Sequence, residues 1–442
     1  MISQEPVIRV GIIDHRNRIT GEFKGGFGVD GRPFSGQFGV TDDNGCLSFV
    51  DADGTVVSRG PEILCRGGGD STVILHDVTI GVHFHWERSE SQTFRGDLRF
   101  IRRADGTMAA VNLISLEEYL ASVTSSEMSP AAPTEFLKAH AIASRSWLAA
   151  MLQREQKNIG IPSQRTLQSE RELIRWYDRE DHDLYDVCAD DHCQRYQGMT
   201  KILKDTVTAA VRSTRGVFLV HGGAICDARF SKSCGGLTEC YENCWGDTSI
   251  PYLQSVSDSV HAHDPIQDEL QAKTWIRSLP DVYCHTNDKD LLSRILPSVD
   301  QETNDFFRWK QEYQGDELEE ILHARSGIDF GTLMDLTPVQ RGPSGRIVRL
   351  KIHGTKRTLT VGKELEIRRW LSRSHLYSSA FVVETVRDAP GIPQKWILHG
   401  CGWGHGVGMC QIGGAVMASK GKYAEELLMH YYRGSELKKL YS

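Results

Sequence analysis

The stretch Ser122–Trp147, SVTSSEMSPAAPTEFLKAHAIASRSW, limits how the rest of the chain can fold. Pro133 suits the first turn of a helix, where its missing N–H costs nothing. Beyond it, Phe136, Ala139 or His140, Ala143 and Trp147 recur at helical spacing. The face through Ala139, Ala141 and Ala143 is small, so something can approach that backbone closely. A helix of this kind, predicted to run to about Gln156, is a buried one, and other elements must close around it. Glu127 ends a run of small and hydroxyl residues just ahead of it. Desolvation there favours the neutral, proton-donating form of a carboxyl. A solvated residue or a partner for the helix dipole is the plainer reading of one Glu in that place.

The chain has 442 residues and is 40% apolar, enough for a sizeable core in one elaborated domain or several. With 51 basic and 58 acidic residues its net charge is −7, which argues against non-specific binding of nucleic acid. A carbohydrate substrate remains open. The sequence contains no apolar run of the ~18 residues that a membrane helix needs. The first strand-like run, Val7–Ile13, carries Arg9 and lacks the form of a secretory signal. Eleven cysteines, an odd number, leave at least one unpaired or serving as a metal ligand.

Residues 1–93 read as a β-rich N-terminal region. Val7–Ile13, Gln37–Val40, Thr72–His76 and Gly81–Trp86 are short strand-like runs between Gly and Asp clusters. Gly26, Gly28 and Gly31 match a dinucleotide-loop pattern, but Pro33 and further glycines follow where a helix is required. Turns between strands are the better reading. FRGDLRFIRR and MAAVNLIS predict two strands joined at Asp105-Gly106, and LEEYLASV a helix. Further helices are expected near Glu170–Tyr177, at Lys204–Val211, at Glu364–Trp370 and at Tyr423–Tyr432, with a helical insertion at about 264–340. The expected fold class is α+β, with mixed sheets and interspersed helices rather than regular βαβ alternation.

Two further stretches carry chemistry. Gly400–Ala415, GCGWGHGVGMCQIGGA, has seven glycines in sixteen residues, which lets a backbone fold tightly or approach a ligand. His405 either satisfies a neighbouring backbone group or lines a polar pocket. Cys410 with His405 as base matches no signature of cysteine catalysis. In the other stretch, His182, Cys188, His192 and Cys193 place two imidazoles and two thiols within twelve residues, a reasonable tetrahedral zinc set. Adjacent His192 and Cys193 can both ligate only across a tight bend. Reduced or disulfide-paired cysteines are the rival reading. Cys234, Cys240 and Cys244 form another short-spaced cluster, for metal or disulfide.

Together these stretches resemble one family. LEEYLASVTSSEMSPAAPTEFLKAHAIASRSW is similar to the core motif of stage II sporulation protein D and the amidase enhancers. GWGHGVGMCQIGGAVMASKGKYAEELLMHYYRGSEL looks like that family's C-terminal signature, and FSKSCGGLT with PYLQSVSD like its intervening block. The likeness spans roughly residues 94–258 and 345–440, so the expected family domain is 94–442.

The resemblance implies a lytic transglycosylase acting on peptidoglycan glycan strands, preferably free of stem peptides. It places the catalytic acid/base on Glu127. One carboxyl suffices if the sugar's own 6-hydroxyl is the attacking group, unlike the two-carboxylate glycosidases. It suggests that Arg145 contacts the sugar or orients the site, and that Ser231, Lys232, Ser233, His405 and Gln411 bind substrate. A loop-capping Arg145 and an exposed strand at 231–233 are the structural alternatives. Cys410 and Ile412 depart from the family's commoner residues. Some members carry zinc held by His and Cys from the region of 182–193, and the order here is similar; four protein ligands favour a structural ion. Peptidoglycan strands are the implied partner, with a cell-wall amidase as a second. A non-catalytic glycan-binding enhancer of such an amidase is the alternative function. A zinc hydrolase centred on 182–193 ranks last, since the chain has no His-Glu-x-x-His pattern. The expected place of action is the cell envelope, the periplasm or outside the cell, with the export signal absent from this sequence.

Overall fold

The computed structural model describes residues 2–82, 87–157, 166–177, 182–202, 205–297, 300–301, 305–389 and 391–442, without the side chains of 154–157. Two compact units result: residues 1–145, 179–217 and 439–442 form the first, and residues 146–178 and 218–438 the second. The fold is α+β, with a strand-rich N-terminal part.

The first unit is built on a sheet of eleven strands among the described residues. Val7–Arg16 runs antiparallel to Met108–Ser115, pairing Ile8 with Ile114 and Val10 with Asn112. Alternation buries Ile8 and Val10 completely and leaves Val7 outside, as a period of two requires. Arg18–Val29 and Arg32–Asp43 meet at Asp30-Gly31, and the next strand, Cys46–Asp51, follows Asn44-Gly45. All four turn residues have positive φ, the requirement of the two-residue hairpin that matches strand twist. Phe23, Phe38 and Phe49 stack along the inner face, with centroids 4.6 Å and 5.0 Å apart.

Helix α1 spans Leu116–Glu127. Ser115 caps it, its hydroxyl accepting from Glu118 N at 3.4 Å, and Glu117 and Glu118 lie in the first turn where the dipole favours acids. Helix α2 spans Thr134–Lys157, with Pro133 O accepting its first bond from Leu137 N at 3.0 Å.

The second unit contains a five-stranded sheet in the order Thr166–Gln168, Glu172–Arg175, Thr358–Gly362, Ile347–Gly354, Leu333–Arg341. A three-stranded sheet joins Arg308–Gln314, Pro393–Cys401 and Phe381–Arg387. Leu350, Ile367, Trp370 and Trp396 belong to their common core. Phe230–Ser231 pairs in parallel with Met409–Cys410, inside the glycine-rich stretch.

Several expectations need correction. The boundary at residue 93 does not divide the structure, because Val7–Arg16 and Glu62–Gly67 pair with strands that lie beyond it. The segment near Glu170–Tyr177 is a strand, Glu172–Arg175, because it finds an edge at Thr358–Gly362. The 264–340 region holds helices Glu269–Arg277, Lys289–Ile295 and Gly315–Ser326, but also strands that pair with 347–354 and 393–401. Residues 83–86 of the expected strand Gly81–Trp86, and Lys204 of the expected helix, lie outside the described residues.

Gly408 shows why the terminal stretch is rich in glycine. Its φ is +74°, and an added Cβ would stand 1.9 Å from the carbonyl oxygen of Arg229. Gly408→Ala is therefore expected to lower the unfolding midpoint by a cost of about 1–3 kcal/mol from backbone conformation alone, with the clash added. Urea unfolding of variant and wild type measures it.

Candidate functional site

Glu127 is the last residue of α1, because LEEYLASV continues helically through the hydroxyl residues, and it lies ahead of α2. It is 8% exposed. Its Oε1 accepts a hydrogen bond from the backbone N–H of Arg195 at 3.0 Å. Three hydroxyls of the same last turn, on Thr124, Ser125 and Ser126, are buried without a hydrogen-bond partner among the described residues. Buried hydroxyls are costly to leave unmet, so this turn is a place where a polar group could be received.

The peptide 194–197 carries Arg195 along α1. Tyr119 Oη donates to Gln194 Oε1 at 3.2 Å, and Gln197 N donates to Ser122 Oγ at 3.1 Å. Gly198 follows with φ +56°, where a Cβ would meet Thr93 O at 2.3 Å.

Immediately before this peptide lie His182, Cys188, His192 and Cys193, whose ligand atoms all fall within 4.8 Å of one another. His182 Nε2 is 3.3 Å and His192 Nδ1 3.6 Å from Cys193 Sγ. Donors around a tetrahedral zinc ion stand about 3.5–3.8 Å apart, so the set fits that ion. The tight bend that adjacent ligands require is present: Cys193 N donates to Asp190 O at 3.0 Å, and the Asp190 carboxylate holds Gly81 N and Val82 N at 3.1 Å and 2.6 Å. Contact with Cys193, and then with His182 and His192, draws the Cys188 thiol well below its ordinary value against burial. Bound here, an ion would fix the loop that delivers the Arg195 N–H to Glu127.

Asp191 escaped the sequence reading. Its Oδ1 accepts from Arg195 Nε at 2.6 Å, while Oδ2 is buried without a partner among the described residues. Burial, opposed by Arg195 and reinforced by the charges of Asp190 and Glu127, pushes this carboxyl up to about 7. The signal was the Asp-Asp pair inside the His/Cys cluster, masked there by the metal reading.

Arg145 is turned into the protein. It is fully buried, with Nε and Nη2 donating to Glu117 at 3.0 Å and 2.7 Å and Nη1 to Val217 O at 3.1 Å. The pair ties α2 to α1, the helix that ends in Glu127.

In the second unit, the strip 231–233 is buried rather than an exposed strand, since it pairs with the glycine-rich stretch. Ser233 and Trp403 exchange backbone hydrogen bonds of 3.2 Å and 2.8 Å, and Ile412 N donates to Lys232 O at 3.1 Å. Lys232 pairs with Asp300 at 2.7 Å. The hydroxyls of Ser231 and Ser233 are buried without partners among the described residues. Gln411, 1% exposed, opens the helix Gln411–Ser419. His405 Nδ1 accepts from Val407 N at 3.0 Å, meeting a neighbouring backbone group. Burial, with the charges of Arg229, Arg346 and Arg368, holds His405 well below the ordinary imidazole value. Cys234 parts from Cys240 and Cys244: their thiols turn to Gln254 Oε1 and His405 O, while Cys234 faces Cys284 at 3.8 Å.

Breaking the buried Arg145–Glu117 pair leaves a carboxylate without its counter-charge. Arg145→Met is expected to cost about 3–5 kcal/mol of stability. Thermal unfolding checks it; a loss under about 1 kcal/mol would show that the pair does not hold α1 in place.

A family model described as Stage II sporulation protein matches residues 104–221, the span holding Glu127 and the His/Cys set. A model described as a domain of unknown function matches 239–408. The chain is similar to an uncharacterized protein of Brachyspira hyodysenteriae, 27% identical across 78% of this chain and 72% of that one. It is 26% identical to the stage II sporulation protein D of Bacillus amyloliquefaciens, across 74% and 75% of the two chains. An amidase enhancer of Bacillus subtilis matches at 24% identity over 52% of this chain and 32% of its own. Motif order and these likenesses agree: the chain carries a stage II sporulation protein domain at residues 104–221 and is similar to stage II sporulation protein D and to an amidase enhancer.

Proposed function

We propose that the protein is a lytic transglycosylase that cleaves peptidoglycan glycan strands, acting in the cell envelope. The observation that carries this reading is the setting of Glu127: nearly buried, held by the Arg195 N–H, and at the end of a helical turn whose three hydroxyls lack partners among the described residues. Glu127, protonated, gives its proton to the glycosidic oxygen. As a carboxylate it then takes the proton of the 6-hydroxyl, whose oxygen attacks the anomeric carbon. The bond broken is the glycosidic C–O bond, the bond formed closes a 1,6-anhydro ring, and Glu127 ends as it began. No second carboxylate is needed, because no water is activated. The Arg195 N–H steadies the carboxylate between the two transfers.

A second reading, a non-catalytic glycan binder that enhances a cell-wall amidase, draws on the relative named as an amidase enhancer. Digestion of purified peptidoglycan, with and without stem peptides, separates the two. Wild type is expected to release 1,6-anhydro-muramyl ends, detected by mass spectrometry. Glu127→Gln, which keeps the acceptor for Arg195 N, is expected to lose about 10²–10⁴-fold in rate. Reducing ends from wild type would show hydrolysis instead. Glycan binding without cleavage in both proteins would favour the enhancer.

A further inference from the structure

Three cysteines that lie far apart in the sequence come together in the second unit. The ligand atoms of Cys234, Asp258, Cys284 and Cys410 all lie within 4.8 Å of one another. The four residues are at most 2% exposed. We propose that Cys234, Cys284, Cys410 and Asp258 form a second, thiolate-rich metal centre that binds a zinc-class divalent ion, separate from the His/Cys set at 182–193. It does not depend on the transglycosylase reading.

Three observations carry it. First, Cys234 Sγ and Cys284 Sγ are 3.8 Å apart. That is the edge of a tetrahedron whose metal–sulfur bonds are about 2.3 Å, and far from the ~2.05 Å of a disulfide.

Second, backbone amides are aimed at the sulfurs. Cys234 N and Gly413 N donate to Cys410 Sγ at 3.2 Å and 3.4 Å, and Gly236 N donates to Cys234 Sγ at 3.3 Å. Thiols are weak acceptors, and such donors favour thiolates. Cys410 also caps the nine-residue helix Gln411–Ser419, whose N-terminus favours negative charge. Thiolates at this depth are costly unless a cation lies among them.

Third, the oxygen ligand is braced as metal-binding carboxylates are. Asp258 Oδ1 accepts from Tyr431 Oη at 2.6 Å and Oδ2 from Cys284 N at 2.8 Å. Gly413 leaves room for it, since a Cβ there would come within 2.2 Å of Asp258 Oδ1. Three thiolate sulfurs are soft donors that select zinc over magnesium or calcium, and zinc also accepts the one harder carboxylate oxygen. Four protein ligands close the coordination sphere, so the ion is structural. It ties Cys234 to Cys410, the two residues that abut Ser233 and Gln411, and so holds the parallel pair Phe230–Ser231 and Met409–Cys410 in register.

The test uses the full chain, loaded with zinc chloride, and elemental analysis by mass spectrometry. Wild type is expected to hold about two equivalents. His182→Ala/Cys193→Ser is expected to keep about one, with a sulfur-to-cobalt charge-transfer band when Co2+ replaces it. Adding Cys284→Ser should remove that metal and that band. A folded double variant that binds neither ion overturns the proposal, as does metal that survives Cys284→Ser. A Cys234–Cys284 disulfide in the double variant, lighter by two hydrogens and without metal, also overturns it. If the double variant does not fold, Asp258→Asn in the otherwise native chain decides: loss of one equivalent supports the centre, and unchanged metal content overturns it.

Discussion

The carboxylate of Glu117 is the constraint on which the first unit turns. It accepts from Arg145 on α2, from Gly216 N at 3.3 Å and from Tyr441 Oη at 2.6 Å near the C-terminus. Its own backbone N–H is held by Glu5 at 2.9 Å. Segments from both ends of the chain thus converge on the first turn of α1. An ion pair taken out of water gains little net stability unless every remaining donor and acceptor is met. Here they are met by residues that must all be in place together. The pair consequently specifies where α1 lies more than it stabilises it. Glu127 sits ten residues further along that rigid helix, so its position follows from contacts made far from it in sequence.

The other wall of the Glu127 site is a loop, and loops need another means of support. The peptide that bears the Arg195 N–H is tied to α1 by Tyr119 and Ser122 and to the sheet through Val187–Cys188, which pairs with Val10–Gly11. Gly11 permits this, since a Cβ there would strike the Tyr185 ring at 2.5 Å. The His/Cys set lies between those anchors. An ion held by it would replace the apolar core that a segment of so few residues cannot build for itself.

Much of this was legible in local patterns. MAAVNLIS, Glu364–Trp370 and the turn at Asp105-Gly106 carry their structure in their own residues, and the structure has strands or a helix there. The clustering of His182, Cys188, His192 and Cys193 was legible because they are close in sequence. What could not be read depends on distant partners. Glu172–Arg175 is a strand only because an edge at 358–362 receives it. Arg145 reads as a sugar-contacting, site-orienting or loop-capping residue, and its buried partner Glu117 lies twenty-eight residues away. Cys234 was grouped with its sequence neighbours Cys240 and Cys244, whereas its spatial neighbours lie 50 and 176 residues away.

The donor sets also bear on which group does chemistry. A catalytic zinc keeps one position open for water or substrate, with three protein ligands around it. His182, Cys188, His192 and Cys193 supply four, and Cys234, Asp258, Cys284 and Cys410 supply four more. Ions filling either set would have no vacant position at which to activate water. In a glycan-cleaving protein with this arrangement, proton transfer falls to a carboxyl. Glu127, with a backbone donor on one oxygen and partnerless hydroxyls in the same helical turn, is the group so placed in the first unit. On the proposed reading, cysteines would hold loops through bound ions and Glu127 would carry the proton transfer.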